Sequence, residues 1–494
     1  MLREKKRLES SRGILANLPL FDGKYHNTGS FFKKIGDRVK RDQILKNSTI
    51  AVQDSSDSES MTNPGMLLLI LFLFIKFVPF PVIKSIGFAP ENFVVVLMGI
   101  YLWFNFSRVA ALKGRIVAVL VLMTLFFVLE YLFDFLQGEP FRIPVASLRM
   151  VLSMMFIVIV CTTERRLLFA IKLFLVMMVV SVVFGTLLYL FGEPFSSVRA
   201  WFVQSTSTAT TFIGKGSQLT GIGVQPHVFS YFLAVTPILC YSLFLSERKN
   251  IWILYLLILC VGLLLNAERA PLLFNIIVFA VAFWRQRNRL LLLSVLVLSA
   301  SVVFGAQHLI GNVSSGGSPQ RAAVLVTGNL AERMKKSSIN EVIDRIKWQM
   351  YGIRTVLKHP FSGATKRDYS EAVYEGRVAY ISASRSDKTL EPHNHYVNAG
   401  IKGGIWGWLI LVLLFFQIRA MLKYDFGYTN TGGPIAAVAL GIKLSVVAVL
   451  GNAVFHNAGI FDAEFATCTI LAFLMALYTI TSGKKPKESD KTPL

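Results

Sequence analysis

From residue 66 to residue 481 the chain is a succession of apolar runs. Each is about long enough to cross ~30 Å of hydrocarbon as a helix of about 20 residues. About twelve begin near Met66, Asn92, Ile116, Val145, Leu167, His227, Ile251, Pro271, Leu290, Ala399, Pro434 and Ile460. Lipid offers backbone groups no hydrogen-bond partners, so spans of this length must be helical. Hydrophobic residues make up 54% of the 494, and the mean hydropathy is +0.55. A soluble globular surface is incompatible with both values. The expected fold is an all-α polytopic membrane protein of about 12 transmembrane helices.

The formal charge of +22 is read through the same topology and not as nucleic-acid binding. Short connections "FSRVAALKGR", "TTERRL", "SERKN", "WRQRNR" and "RAMLKYDFGY" are basic and alternate with less basic ones. Lys and Arg crowd cytoplasmic loops, which places these connections and both termini in the cytoplasm. Residues 1–65 then form a cytoplasmic tail, partly amphipathic or disordered. Phe32, Ile35 and Val39 in it sit at helical intervals opposite basic residues, a pattern suited to an anionic membrane surface. No apolar core follows the basic N-terminus, so the first span is expected to act as the insertion signal. Residues 66–481 form the transmembrane domain and 482–494 a cytoplasmic tail. The four cysteines lie in or beside apolar runs without metal-like spacing, and read as packing residues.

Two longer connections fall outside the cytoplasm: Gly192 to Pro226, and a large extracytoplasmic loop over 307–396, between helices 9 and 10. From Gln307 to Glu391 this loop carries 13 Lys+Arg against 8 Asp+Glu. Long loops are exempt from the charge rule, so the excess asks instead for an anionic partner. Ile343, Ile346, Met350, Ile353 and Val356 recur with helical period and predict one apolar face.

Where the loop returns to lipid, the chain reads "EPHNHYVNAGIKGGIWGW". His393-Asn394 is followed by nine residues and then Gly404-Ile405-Trp406-Gly407. A histidine titrates near neutrality and can take a proton from a sugar hydroxyl. Glycines let a helix or lipid tail approach the backbone closely. Arg269, in "LLLNAERAPLLF", falls between two spans on the same side. Its guanidinium can hold phosphate oxygens in a bidentate fork. A helix cap for His393 and an interfacial partner of Glu268 for Arg269 are the structural alternatives.

This H-N-x9-G-x-x-G arrangement, at the re-entry point of a large loop, resembles the O-antigen ligase and polymerase family of membrane glycosyltransferases. The resemblance runs from about Met66 onward and implies a GT-C-like fold. It implies a glycan donor on undecaprenyl diphosphate, with a lipid A-core sugar or another repeat unit as acceptor. By the same resemblance, His393 activates the acceptor hydroxyl and Arg269 binds diphosphate. Asn394, His395, Gly404 and Gly407 are the supporting residues of the motif. "KGSQLTGIGVQPHVFSYFLA" is similar to the family's segment entering the sixth span, with Gly221 and Pro226 in place. Gln218 stands where an arginine is usual, and Lys215 or Arg199 would supply the charge. "RIKWQMYGIRTVLKHPFSGAT" resembles the stretch before the histidine motif, with a Pro-x-x-Gly turn at Pro360 and Gly363. Arg345, Lys347 and Arg354 in it are candidate substrate contacts.

Asp462 and Glu464, with His456 nearby, form the acidic pair a metal would need, but the arginines offer a metal-free route, so no metal or other cofactor is expected. Glu130 and Asp134, a turn apart, are expected to pair with Arg142 or Arg149. The implied location is the bacterial cytoplasmic (inner) membrane, with membrane lipids around the chain and the site facing the periplasm. A twelve-span transporter is the rival reading, but polar residues gather at one rim and the halves show no repeat.

Overall fold

The computed structural model describes residues 63–77, 90–138, 145–191, 226–266, 269–285, 339–375, 392–424, 434–456, 459–462 and 464–482, and every regular element among them is helical. In chain order these are α1 (Pro64–Phe77), α2 (Pro90–Phe104), the short α3 (Phe106–Ala110), α4 (Gly114–Leu136), α5 (Val145–Val160) and α6 (Glu164–Phe191). Then come α7 (Pro226–Glu247), α8 (Asn250–Asn266), α9 (Arg269–Arg285), α10 (Ile339–Lys358) and α11 (Lys366–Glu375). α12 (His395–Lys423), α13 (Pro434–Asn452) and α14 (Phe465–Ser482) complete the set.

Six helices, α4, α6, α7, α12, α13 and α14, are long and apolar enough to cross a membrane. α1, α2, α5, α8 and α9 carry shorter apolar stretches of 10–17 residues. Among the described residues, the expected twelve spans thus become six full-length ones and five shorter ones. The span expected from Leu290 lies outside the described residues, as do the N-terminal tail and much of the large loop.

Burial sorts the spans. The apolar stretches of α7 and α14 are 89% buried, against 33% for α12 and 39% for α4. The first two form the interior, and α4 and α12 present one side outward. Phe77, Phe174, Phe232 and Phe465 lock α1, α6, α7 and α14 together, with Phe77 meeting the other three edge-on at 5.1–6.3 Å. Such pairs add about 0.5–1.5 kcal/mol each beyond their area.

Pro237 interrupts α7. Having no N–H, it leaves the carbonyl of Leu233 without its intrahelical donor. The buried Asn275 of α9 donates to Leu233 at 3.2 Å and to Ala234 at 3.2 Å. One amide thus repairs the broken ladder and fixes α9 against α7.

Charged groups collect at the two ends of the bundle. At one end, Lys76 pairs with Glu91, Arg149 reaches Glu91 at 3.4 Å, and Arg149 donates to Asn92 at 2.8 Å. At the other, Lys113 meets Ser482, and Glu247 takes both Lys172 and Lys249. The last span was expected to open near Ile460. Instead a 3-10 turn, Ile460–Asp462, precedes α14. Glu464 ends that turn by accepting from Ala466 N at 2.9 Å, Thr467 N at 2.6 Å and Thr467 Oγ1 at 2.7 Å. A carboxylate there satisfies the first N–H groups of α14 and suits the helix dipole.

Candidate active site

Asn394 starts α12. Its backbone is extended, and its side-chain oxygen accepts from Tyr396 N at 3.0 Å and Val397 N at 3.1 Å, as a helix N-cap does. The residue before it, His393, has φ +49°. A left-handed backbone is uncommon for a side chain other than glycine, and such strain gathers at functional positions. The imidazole of His393 is half-buried and stacks on the indole of Trp348, with ring centres 5.4 Å apart and planes 26° apart. Trp348 belongs to α10, so the loop helix supports the ring.

His395, two residues on, is held very differently. It is 1% exposed. Its backbone N–H donates to Ala453 at 2.9 Å, and its Nε2 accepts from Phe461 N at 3.3 Å. An accepting nitrogen has its lone pair engaged and cannot also collect a proton from a substrate. Phe461 in turn stacks on Phe126 of α4 at 3.8 Å. His395 therefore ties α12 to α13 and to the turn before α14.

Nine residues beyond His395, α12 is broken. Gly404 has φ +58° and ψ −148°, a conformation essentially reserved for glycine. An unbroken helix would bond Ile405 N to Ile401 O. Here Ile405 N donates to Pro360 O at 2.7 Å, and Ile401 O accepts from Ala364 N at 2.7 Å. Both groups freed by the break are taken by the Pro360–Gly363 turn of the loop and the residue after it, Ala364. The fit leaves no room: a Cβ on Gly404 would strike Pro360 O, one on Gly363 would strike Lys402 O, and one on Gly407 would strike Ala399 O. Gly404 and Gly407 of the motif and the Pro-x-x-Gly turn, separate features in the sequence, are two halves of one joint. Trp408 donates across the break to Tyr396 O at 3.0 Å.

Two contacts brace the joint from α4. Gln137 donates to Ser362 O at 2.9 Å and to Gly363 O at 3.2 Å. Lys402 pairs with Glu130 at 2.8 Å. Of the two partners expected for Glu130, Arg149 is engaged by Glu91 and Asn92 instead, and Arg142 lies outside the described residues. The same break that frees Ile401 O carries Lys402 toward α4.

The remaining candidates are less fully described. Arg269 opens α9, but its side chain lies outside the described residues, as do Lys215, Arg199 and Gln218. The backbone of α9 nonetheless reaches the His393 end of the bundle. Phe274 meets Phe455 at 6.2 Å between ring centres, two residues from the Ala453 carbonyl that holds His395. Arg345 and Arg354 are exposed on α10, and Arg354 lies 5.8 Å over the Tyr351 ring. Glu464 spends both oxygens on the start of α14, and the side chain of Asp462 is not described. Two residues of consequence, Trp348 and Asn275, were not singled out from the sequence. A second period in α10, Trp348, Gly352, Thr355 and Val356, is the only signal that marks the former.

Residues 254–412 match the family model described as O-antigen ligase. That stretch is roughly a third of the chain. It contains Arg269, all of α10 and α11, the histidine motif and the broken part of α12. Among curated proteins, none matches the chain.

Proposed function

With residues 254–412 assigning this multi-pass membrane protein to the O-antigen ligase family, we propose that it is an inverting glycosyltransferase of the bacterial cytoplasmic membrane. It moves a glycan from undecaprenyl diphosphate onto an acceptor sugar, of a lipid A-core or similar molecule, at the periplasmic face. The observation that carries the reading is His393: a strained, half-buried imidazole stacked on Trp348, just before the capped start of α12.

In the proposed step the acceptor hydroxyl gives its proton to His393 as its oxygen bonds to the anomeric carbon. The carbon–oxygen bond to the diphosphate breaks in the same displacement, so configuration inverts and the electron pair leaves with the lipid diphosphate. Arg269, with Lys215, Arg345 and Arg354, neutralises the charge that develops there, where fixed cations are most effective. His393 then loses its proton to water. No step requires a metal.

The test is transfer by the full chain in nanodiscs, from a purified lipid-diphosphate glycan to lipid A-core. General-base catalysis supplies about 10²–10⁴-fold, so His393→Ala should lose at least ~10²-fold, and Arg269→Ala a comparable amount. Undiminished transfer by His393→Ala would remove the base from the mechanism. Full activity is expected in EDTA. A loss reversed by magnesium would instead put a metal at Asp462 and Glu464. Growth of the glycan by its own repeat unit, with lipid A-core ignored, would make the chain a polymerase of the same family.

A further inference from the structure

α10 has two apolar faces, and the bundle uses one. A helix turns about 100° per residue, which puts Trp348, Gly352, Thr355 and Val356 on one side. That side packs on the start of α12: Val356 is 1% exposed and clusters with Val397 and Ile401. A Cβ on Gly352 would strike Val397. Ile343, Ile346, Met350, Ile353 and Leu357 fall on the opposite side. These five, and Phe361 just beyond the helix, are between 41% and 68% exposed. The sequence grouped Val356 with this stripe; its burial assigns it to the packed face.

A stripe of six large apolar side chains left exposed among the described residues is uncommon outside an interaction surface. Two further observations identify its partner. The stripe is continuous with the outward apolar surface of the spans. Gln137, at the end of α4, bonds the Ser362 carbonyl next to Phe361, and Leu132, Phe135 and Leu136 of α4 are 45–69% exposed. Ile405, Trp406 and Leu409 of α12, beside the same joint, are 46–48% exposed. Second, the stripe has a cationic border: Lys347, Arg354 and Lys358 lie along one flank of it and are exposed. Apolar arc and basic flank together are the pattern of a helix that lies in an anionic membrane interface.

We propose that α10 is an interfacial helix, its Ile343–Leu357 stripe seated among the acyl chains of the leaflet at the His393 end and its flanking cations among anionic headgroups. Through the stack of His393 on Trp348 this anchors the proposed base at a fixed depth relative to the lipid surface. The seating itself does not depend on which reaction the site performs.

The experiment uses the full chain in nanodiscs of phosphatidylethanolamine and phosphatidylglycerol, with bimane on single introduced cysteines. Ile346→Cys, Met350→Cys and Leu357→Cys probe the stripe; Glu371→Cys, at an exposed position of α11, is the reference. The four native cysteines are buried, and each probed site is exposed, so folding is retained. The stripe labels should be quenched several-fold more by brominated acyl chains than the reference label, and several-fold less by aqueous iodide. Bromines at successive depths should place them about 5–10 Å into the headgroup and acyl boundary. Iodide quenching equal to the reference would overturn the proposal by showing a solvated helix. Protection from both quenchers would also overturn it, by showing that other loop residues or a second copy cover the stripe.

Discussion

The left-handed backbone of His393 costs about 1–2 kcal/mol, while its stack on Trp348 returns about 0.5–1.5 kcal/mol. The two nearly cancel, which makes His393→Gly informative. Glycine relieves the strain and forfeits the stack, so the melting temperature in detergent should stay almost unchanged while transfer collapses. A melting temperature several degrees lower would mean that His393 serves the fold. His395→Ala should behave oppositely, because it empties a buried position and leaves the Phe461 N–H without its acceptor. The proposed division between the histidines rests only partly on the sequence. The family pattern pointed to His393, yet what disables His395 as a base is an N–H from Phe461, 66 residues away. No local spacing announces a bond of that kind.

At the scale of elements, the joint between α12 and the Pro360–Gly363 turn governs how rigidly the site is held. Gly404→Ala would place a methyl group against Pro360 O in a conformation that alanine avoids, and at least two hydrogen bonds would be disturbed. We expect the yield of folded protein to fall sharply, with Gly363→Ala close behind. Trp406→Ala, whose side chain is 46% exposed, should be tolerated. Size-exclusion profiles of the three variants check this, and a normal profile for Gly404→Ala would show that the break is dispensable. Glycine spacing in the sequence marked the region as one of close approach. It did not reveal that the partner was the Pro-x-x-Gly turn, since either segment alone is an ordinary turn or helix contact. Lys402 was missed as a partner of Glu130 for a related reason: it lies 272 residues further along the chain, and no local spacing links the two.

For the molecule as a whole, apolar run length was the most legible feature, because hydrocarbon forces helices whatever their detailed sequence. Eleven of the expected starts lead into apolar helices. Run length did not reveal which spans are interior. That depends on packing around α7 and α14, which are less apolar than the peripheral α4 and α12 and so are not marked as interior by hydropathy. The proposed orientation makes a prediction at this scale. In intact cells a membrane-impermeant maleimide should label Glu371→Cys and leave Lys249→Cys untouched until the membrane is opened. Labelling in the reverse order would invert the topology.

The exchanged hydrogen bonds at Gly404 also bear on how the protein is made. Synthesis runs from residue 1 upward, so the 360–363 turn exists before the gap that it fills. A helix with an opened rung enters hydrocarbon at a cost unless its freed N–H and C=O meet partners at once. In the proposed orientation, the preceding loop must therefore have crossed the membrane and folded by the time α12 is inserted. Delay in translocating the loop would strand α12 with its rung open, and so expose the nascent chain to quality control.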